Sequence, residues 1–215
     1  MEERKSLLAN NAMTTLSDLM DFLGMPDADD VIKNNLERLI NAASSYIETM
    51  TNRRFAKKEY AENHFPSGDQ ELCLNQYPIR SVKQVKDTDS GAIIEADSYS
   101  CEDTGEIGVL YRDSGWSLRG YYGGLSNDMV AVKRCLRVTY EAGYIMPKDG
   151  TEETPSDLPY DLQYAVWQMV QQQWNLASNG ANGLSAFSVS DVSWTFDKAL
   201  STQVQSVIDK YMRWV

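Results

Sequence analysis

The sequence predicts an α+β fold: a helical core of about four helices with a small antiparallel β domain inserted into it. Three observations carry this. Apolar residues recur at helical spacing in two stretches, 14–58 and 157–215. Between them, from 59 to 146, short runs rich in Val, Ile, Leu and Tyr alternate with Gly, Asp and Ser clusters ("PSGDQ", "DTDSG", "EDTGEIG", "RDSG", "GYYGGLSND"), as in strands joined by turns. A polar, proline-marked crossing, 147–156 ("PKDGTEETPS"), then leads back to helix. Residues 1–13 are expected to be a loose extension, with Met13 a second candidate start. No internal repeat is visible in the 215 residues.

The first helix is "TTLSDLMDFLGMP". Thr15 can cap it with Asp18 three residues on, Leu16, Leu19, Met20 and Leu23 form its stripe, and Gly24 and Pro26 end it. The second, "DADDVIKNNLERLINAASSYIETM", places Ile32, Leu36, Leu39, Ile40, Ala43, Ile47 and Met50 on one predicted face. Asp27, Asp29 and Asp30 crowd its start, where acidic residues complement the helix dipole and a metal is the less economical explanation. In the β region the clearest strand is 130–140, with Val130, Val132, Leu136, Val138 and Tyr140 on one face, interrupted by Arg134. "YPIRSVKQV" is a strand out of step, because Ile79, Val82 and Val85 recur every third residue. After the crossing, Asp157 or Ser156 caps a helix with Pro159 in its first turn, running to about Leu176. "ASNGANG" reads as a flexible break and "LSAFSVSDVSWTF" as extended. "DKALSTQVQSVIDKYMRW" is a last helix striped by Leu200, Val204, Val207, Ile208 and Tyr211.

The composition, 42% hydrophobic and 24% charged, is that of a soluble globular chain. No run approaches the ~20 apolar residues that cross a bilayer, so no membrane partner is expected. The opening "MEERKSLLANNAM" does not read as a signal peptide. Cys73, Cys101 and Cys135, odd in number and far apart, point to reduced thiols and folding in a cytoplasm. The net charge of −11 speaks against a sequence-independent nucleic-acid binder, which gains affinity by neutralising phosphates. From Asp149 to Asp197 there is no lysine or arginine. The one basic cluster, Arg53, Arg54, Lys57 and Lys58, has two readings: a contact to phosphate, or cations complementing the end of a helix.

Catalytic chemistry has little to stand on. His64 and the three cysteines supply the atoms of a zinc site, but no two cysteines have ligand spacing, and nothing marks any of them as an activated nucleophile. "DTDSGA" (87–92) lacks the contiguous Asp-Thr-Gly of an aspartic protease and has Gly91 and Ser98 where a calcium loop needs ligands, so a hairpin turn accounts for it. "GYYGG" (120–124) is followed by no Lys-Ser or Lys-Thr of a phosphate loop. Neither a cofactor nor a metal is expected, and function is expected to lie in surfaces.

The helix after the crossing offers such a surface. Projected at about 100° per residue, Leu158, Leu162, Ala165, Val166, Met169 and Leu176 face the core. Tyr160, Tyr164, Trp167, Gln171 and Trp174 lie opposite, without a charge among them. Aromatic enrichment with charge depletion marks the centre of a protein–protein interface. The alternative is a central helix whose second face packs on the β insert.

The order of these segments resembles the phage head–tail connector proteins, also called adaptor or head-completion proteins. The likeness runs through "MTTLSDLMDFLGM", "LERLINAASSYIETMTNRRF", "LNQYPIRSVKQV", "LRVTYEAGY" with its proline, "LPYDLQYAVWQMVQQQW", "SVSDVSWTF" and "YMRW". The resemblance implies a non-enzymatic virion protein that forms a homo-oligomeric ring, commonly a dodecamer, beneath the portal protein at the head–tail junction. Such a ring extends the DNA channel, through which DNA passes without specific binding, and docks a tail-proximal neck or stopper protein. Two alternatives stand beside it: another ring-forming tail component such as a tail terminator, or a small-molecule-binding accessory domain of an enzyme.

Overall fold

A computed structural model describes residues 4–66, 68–88, 90–103, 107–116, 135–178, 186–189, 192–195 and 200–213. The chain divides into two units, Met1–Arg54 with Ile145–Val215, and Phe55–Tyr144. The sequence placed these divisions at 58/59 and 146/147.

In the first unit, helix α1 (Leu16–Leu23) begins where the Thr15 hydroxyl oxygen accepts the Asp18 amide at 3.1 Å and donates to the Asp18 carboxylate at 2.7 Å. It ends at Gly24, whose φ of 67° is the left-handed turn glycine adopts without strain. Helix α2 (Asp30–Thr51) is capped by Asp29, which accepts the Ile32 amide at 2.8 Å, so one acid of the aspartate cluster is a cap. Leu36, Ile40, Ala43 and Ile47 are buried, and α2 packs against helices α3 (Tyr160–Ser178) and α4 (Thr202–Tyr211). Leu39 and Met50 depart from the predicted face: Leu39 is half-buried and Met50 is exposed. Helix α3 buries Leu162, Ala165, Val166, Val170 and Leu176. Ser156 and Asp157, just before α3, hold the crossing. The Ser156 hydroxyl donates to the Ile145 carbonyl at 2.8 Å, and the Asp157 carboxylate accepts the Ile145 amide at 2.7 Å.

Residues 4–13 do not hang loose. They run along a polar strip of α2 that meets their backbone turn by turn. The Glu37 carboxylate accepts from Arg4, from the Ser6 hydroxyl at 2.7 Å and from the Leu7 amide at 3.0 Å. Asn41 accepts the Ala9 amide and donates to the Leu7 carbonyl, both at 2.8 Å. Ser44 accepts the Met13 amide at 3.1 Å, and Glu48 accepts from Asn11 at 2.9 Å. The arm ends on Ala12, Met13 and Thr14, all fully buried.

The second unit holds a four-stranded antiparallel sheet in the order β1 (Lys58–His64), β7 (Leu136–Ala142), β3 (Ile79–Asp87), β4 (Ile93–Ile94). Beside it in sequence, β2 (Glu71–Cys73), β6 (Gly108–Tyr111) and β5 (Ser100–Asp103) form a three-stranded sheet in the order β2-β6-β5. The core gathers Leu72, Leu74, Val85, Leu110, Trp116 and the inward face of β7, which is Leu136, Val138, Tyr140 and Ala142. Residues 130–134 of the predicted strand lie outside the described residues, as does "GYYGG". The three-residue step in β3 has a structural cause. Register shifts between Ile79 and Ser81 and between Val82 and Gln84 set Ile79, Val82 and Val85 opposite Ala142, Tyr140 and Val138. Each bulge absorbs one residue and so returns the apolar side chain to the same face. Strand β7 ends at Gly143, where φ is 104° and an added Cβ would lie 2.7 Å from the carbonyl oxygens of Phe55 and Ala56. Only glycine lets those backbones approach so closely. In the first unit, Ala186–Val189 (β8) and Val192–Thr195 (β9) pair antiparallel within the segment predicted as extended.

A buried polar cluster ties the β1 edge to the turn after β2. Glu62 accepts from the Tyr140 hydroxyl at 2.6 Å, the Asn75 amide at 3.0 Å and His64 Nε2 at 3.0 Å, and Tyr140 accepts the Gln76 amide at 3.0 Å. Burial would raise the Glu62 carboxyl, but the hydrogen bonds from His64, Tyr140 and Asn75, with the His64 charge, outweigh it and hold the group below the ordinary carboxylate value. Burial first, then the bond to Glu62, pushes the Tyr140 phenol well up.

Two predictions follow from these networks. Glu37→Ala should cost about 2 kcal/mol in chemical denaturation, because three donors lose a charged acceptor, and should remove hydrogen-exchange protection from the Leu7 and Ala9 amides. Since Glu62 is depressed in the folded chain, its stabilisation is complete above the ordinary carboxylate value, about 4.5, and is lost as pH falls through the lowered one. Glu62→Gln should therefore flatten the acid limb of stability against pH, read from urea midpoints.

Candidate functional site

The outer side of α3 does not form one uniform face. Tyr160 stands 81% exposed and Tyr164 37% exposed, while Trp167, Gln171 and Trp174 are half-buried. The Trp167 indole N–H donates to the Thr14 hydroxyl at 2.7 Å, and its ring stacks on Phe22 at 5.3 Å with the planes 27° apart. Tyr164 meets the same Phe22 edge-on at 5.9 Å. The neighbour that covers Trp167 is thus α1 with the end of the arm, where the sequence offered only a subunit partner or the β insert. Tyr160 and Tyr164 remain as the outward part of the face. On the inner side Gln163, unremarked in the sequence, is buried and donates to the Leu158 carbonyl at 3.0 Å.

The basic cluster is dispersed, and Arg53 leaves it. Arg53 is only 3% exposed, with its guanidinium 6.0 Å from the Tyr211 ring centroid and donating to the Tyr211 carbonyl at 3.5 Å. A side chain buried there reaches no phosphate; it fastens the end of α2 to the end of α4, as does the Arg213 amide on the Thr51 carbonyl at 3.0 Å. Arg53 and Arg54 follow directly on the Asn52 cap of α2, whose last turn itself holds no cation. Arg54 pairs with Glu48 at 2.8 Å, Lys57 with Glu141 at 3.5 Å, and Lys58 lies over the Tyr60 ring at 5.0 Å. Arg54 belongs to the first unit, Lys57 and Lys58 to the second. Alpha-4 is further held by the Tyr211 hydroxyl and Lys210, each 2.9 Å from the Asp161 carboxylate. Burial and the bond to Asp161 raise the Tyr211 phenol.

The residues weighed for chemistry have structural settings. His64 belongs to the Glu62 cluster. Asp87 accepts from the Ser90 hydroxyl at 2.7 Å and its carbonyl accepts the Gly91 amide at 2.9 Å, so "DTDSGA" is the turn between β3 and β4. Among the described residues no group of three His, Cys, Asp or Glu could hold a metal ion, and no helix is long and apolar enough to cross a membrane.

The sequence did not single out one surface: the side of α2 that carries Val31, 69% exposed, with Tyr46 and Met50. The available signal was an apolar set on α2 wider than a single core contact needs.

The family model for the head completion protein matches residues 12–214. This chain belongs to that family. Solved structures share the fold at low identity. One, from the neck of an empty GTA particle computed with C6 symmetry, is 13% identical with a TM-score of 0.56, over 99% of this chain and 95% of that one. A second, from the virion of a native gene transfer agent (GTA) particle, is 15% identical with a TM-score of 0.55, over 100% and 97%. A third, from the neck of a native GTA particle computed with C12 symmetry, is 14% identical with a TM-score of 0.51, over 100% and 96%. No curated protein matches the sequence. As a head completion protein, the chain is a structural and non-enzymatic protein.

The division of the α3 face is measurable. Trp167→Ala should lower the folding stability of the isolated chain by roughly 3 kcal/mol, since it removes a packed indole and its partner to a buried hydroxyl. Tyr160→Ala should change it by less than about 0.5 kcal/mol, as at other exposed positions. Equal losses in thermal denaturation of the two variants would contradict the packing described.

Proposed function

We propose that this head completion protein closes with further copies of itself into a twelve-membered ring beneath the portal protein. The ring prolongs the DNA channel and presents a docking face to the next tail-proximal neck or stopper protein. The observation that carries this reading is the exposed Tyr160–Tyr164 face on a helix with no lysine or arginine, in a chain of net charge −11. Copies that repel one another electrostatically can meet only through surface that bears little charge. The cyclic symmetry with which the similar necks were computed, C6 and C12, supports a closed ring. Closure follows when heterologous contacts repeat with a rotation that returns to the start.

The same charge balance suits a conduit. The cations Arg54 and Lys57 are held against carboxylates, which leaves little to neutralise phosphates. DNA then passes without being held.

A reconstruction of the head–tail junction tests the proposal. Twelve copies in one closed layer against the portal are expected; isolated copies, or a junction without the chain, would refute it.

A further inference from the structure

Helix α1 is lightly held. Its buried residues are Leu19 and Met20, and its Phe22 stacks on Trp167. Helices α2, α3 and α4 pack directly on one another, and each brings fully buried side chains: Ile40 and Ile47, Val166, and Ile208. The connection from the arm to α1 runs through three consecutive residues. Ser44 of α2 accepts the Met13 amide at 3.1 Å, the Thr14 hydroxyl accepts the Trp167 indole N–H at 2.7 Å, and Thr15 caps α1. Before them the arm is fixed to Glu37, Asn41 and Glu48. After α1 the chain turns at Gly24, where φ is 67° and an added Cβ would meet nothing within 4 Å.

The bonds of the arm are numerous but weak in sum. Each one that breaks is replaced by a bond to water, so its net contribution is small. Glu37, buried under the arm, regains its hydration when the arm lifts. A segment held in this way opens more readily than one held by apolar packing. The arm cannot lift as far as Met13 without drawing Thr14 away from Trp167. We propose that the arm and α1 form a single latch that swings about Gly24 while α2, α3 and α4 stay folded, locked at one end by Glu37 and closed at the other over Trp167. Shut, the latch covers the Trp167 indole and touches Tyr164 through Phe22. Open, it joins Trp167 to Tyr164 and Tyr160, one and two turns away, so the aromatic surface that α3 offers is set by contacts made on α2. Glu37 and Trp167 are then coupled through one element with two positions, and the coupling is reciprocal. The latch belongs to the single chain and works whether or not copies close into a ring.

Native-state hydrogen exchange of the full chain, read by NMR, tests this. The Leu7, Ala9 and Met13 amides, the Leu19 and Met20 amides of α1 and the Trp167 indole proton should exchange through one common opening. Its equilibrium constant should exceed that of the Ile40, Ile47 and Val166 amides by about tenfold or more. Glu37→Gln should raise it by about tenfold at every latch position and leave Val166 unchanged. By reciprocity, Thr14→Val should raise it by a similar factor at Leu7 and Ala9. The pattern in the parent decides the matter even where a variant folds poorly. Arm amides that open while Leu19, Met20 and the indole proton stay protected would overturn the proposal, because the arm would then fray alone. Latch positions that exchange only as readily as Val166 would also overturn it, as would a Thr14→Val chain whose Leu7 and Ala9 amides keep the parent's rate.

Discussion

Two carboxylates on α2, Glu37 and Glu48, have side chains only 1% and 2% exposed. A buried carboxylate without partners is among the costliest features a fold can contain, so whatever covers α2 must bring donors. The N-terminal arm brings them as the Leu7 backbone amide and the side chains of Arg4, Ser6 and Asn11. This requirement sets the course of the arm, and the arm in turn delivers Thr14 to the indole of Trp167. Helix α1 follows directly from Thr15, and its Phe22 completes the packing on Trp167. The first unit is thus organised outward from polar groups that α2 could not leave unsatisfied.

The second unit solves a comparable problem at smaller scale. Its central strand β7 is paired on both sides, and Tyr140 sits mid-strand with a hydroxyl that must find a partner when buried. Glu62, across on β1, takes that proton donor and also gathers His64 and the Asn75 amide. The histidine that was weighed for chemistry in sequence helps to hold a turn in place. The bulges of β3 serve the same sheet, since without them every second step would turn Val82 or Val85 away from Tyr140 and Val138.

A head completion protein acts by fit, and the residues open to partners are those that no internal demand has consumed. Arg53 and Trp167 looked available and are spent on α4 and α1. Tyr160, at 81% exposed, has not been spent. Large apolar groups scattered singly on a surface need no function. Grouped on a charge-free helix face of an acidic chain, they mark where association costs least.

The sequence by itself determined what depends on neighbours within a few residues. It yielded the caps of α1, the acidic start of α2, the periods of the helices, the alternation of β7, the turn at 87–92 and the α+β class, because backbone hydrogen bonding and side-chain spacing act over that range. The order of segments also sufficed to recognise the family. It did not determine the fate of the arm, of Arg53, of Trp167 or of the exposed side of α2. Those outcomes turn on pairs far apart in the chain, such as Thr14 with Trp167 at a separation of 153 residues and Arg53 with Tyr211 at 158. A helical period shows that α2 has an apolar side wider than one contact, but burial is assigned by the neighbour that arrives. Only the packed structure decides which strip meets the core, which meets the arm, and which is left exposed.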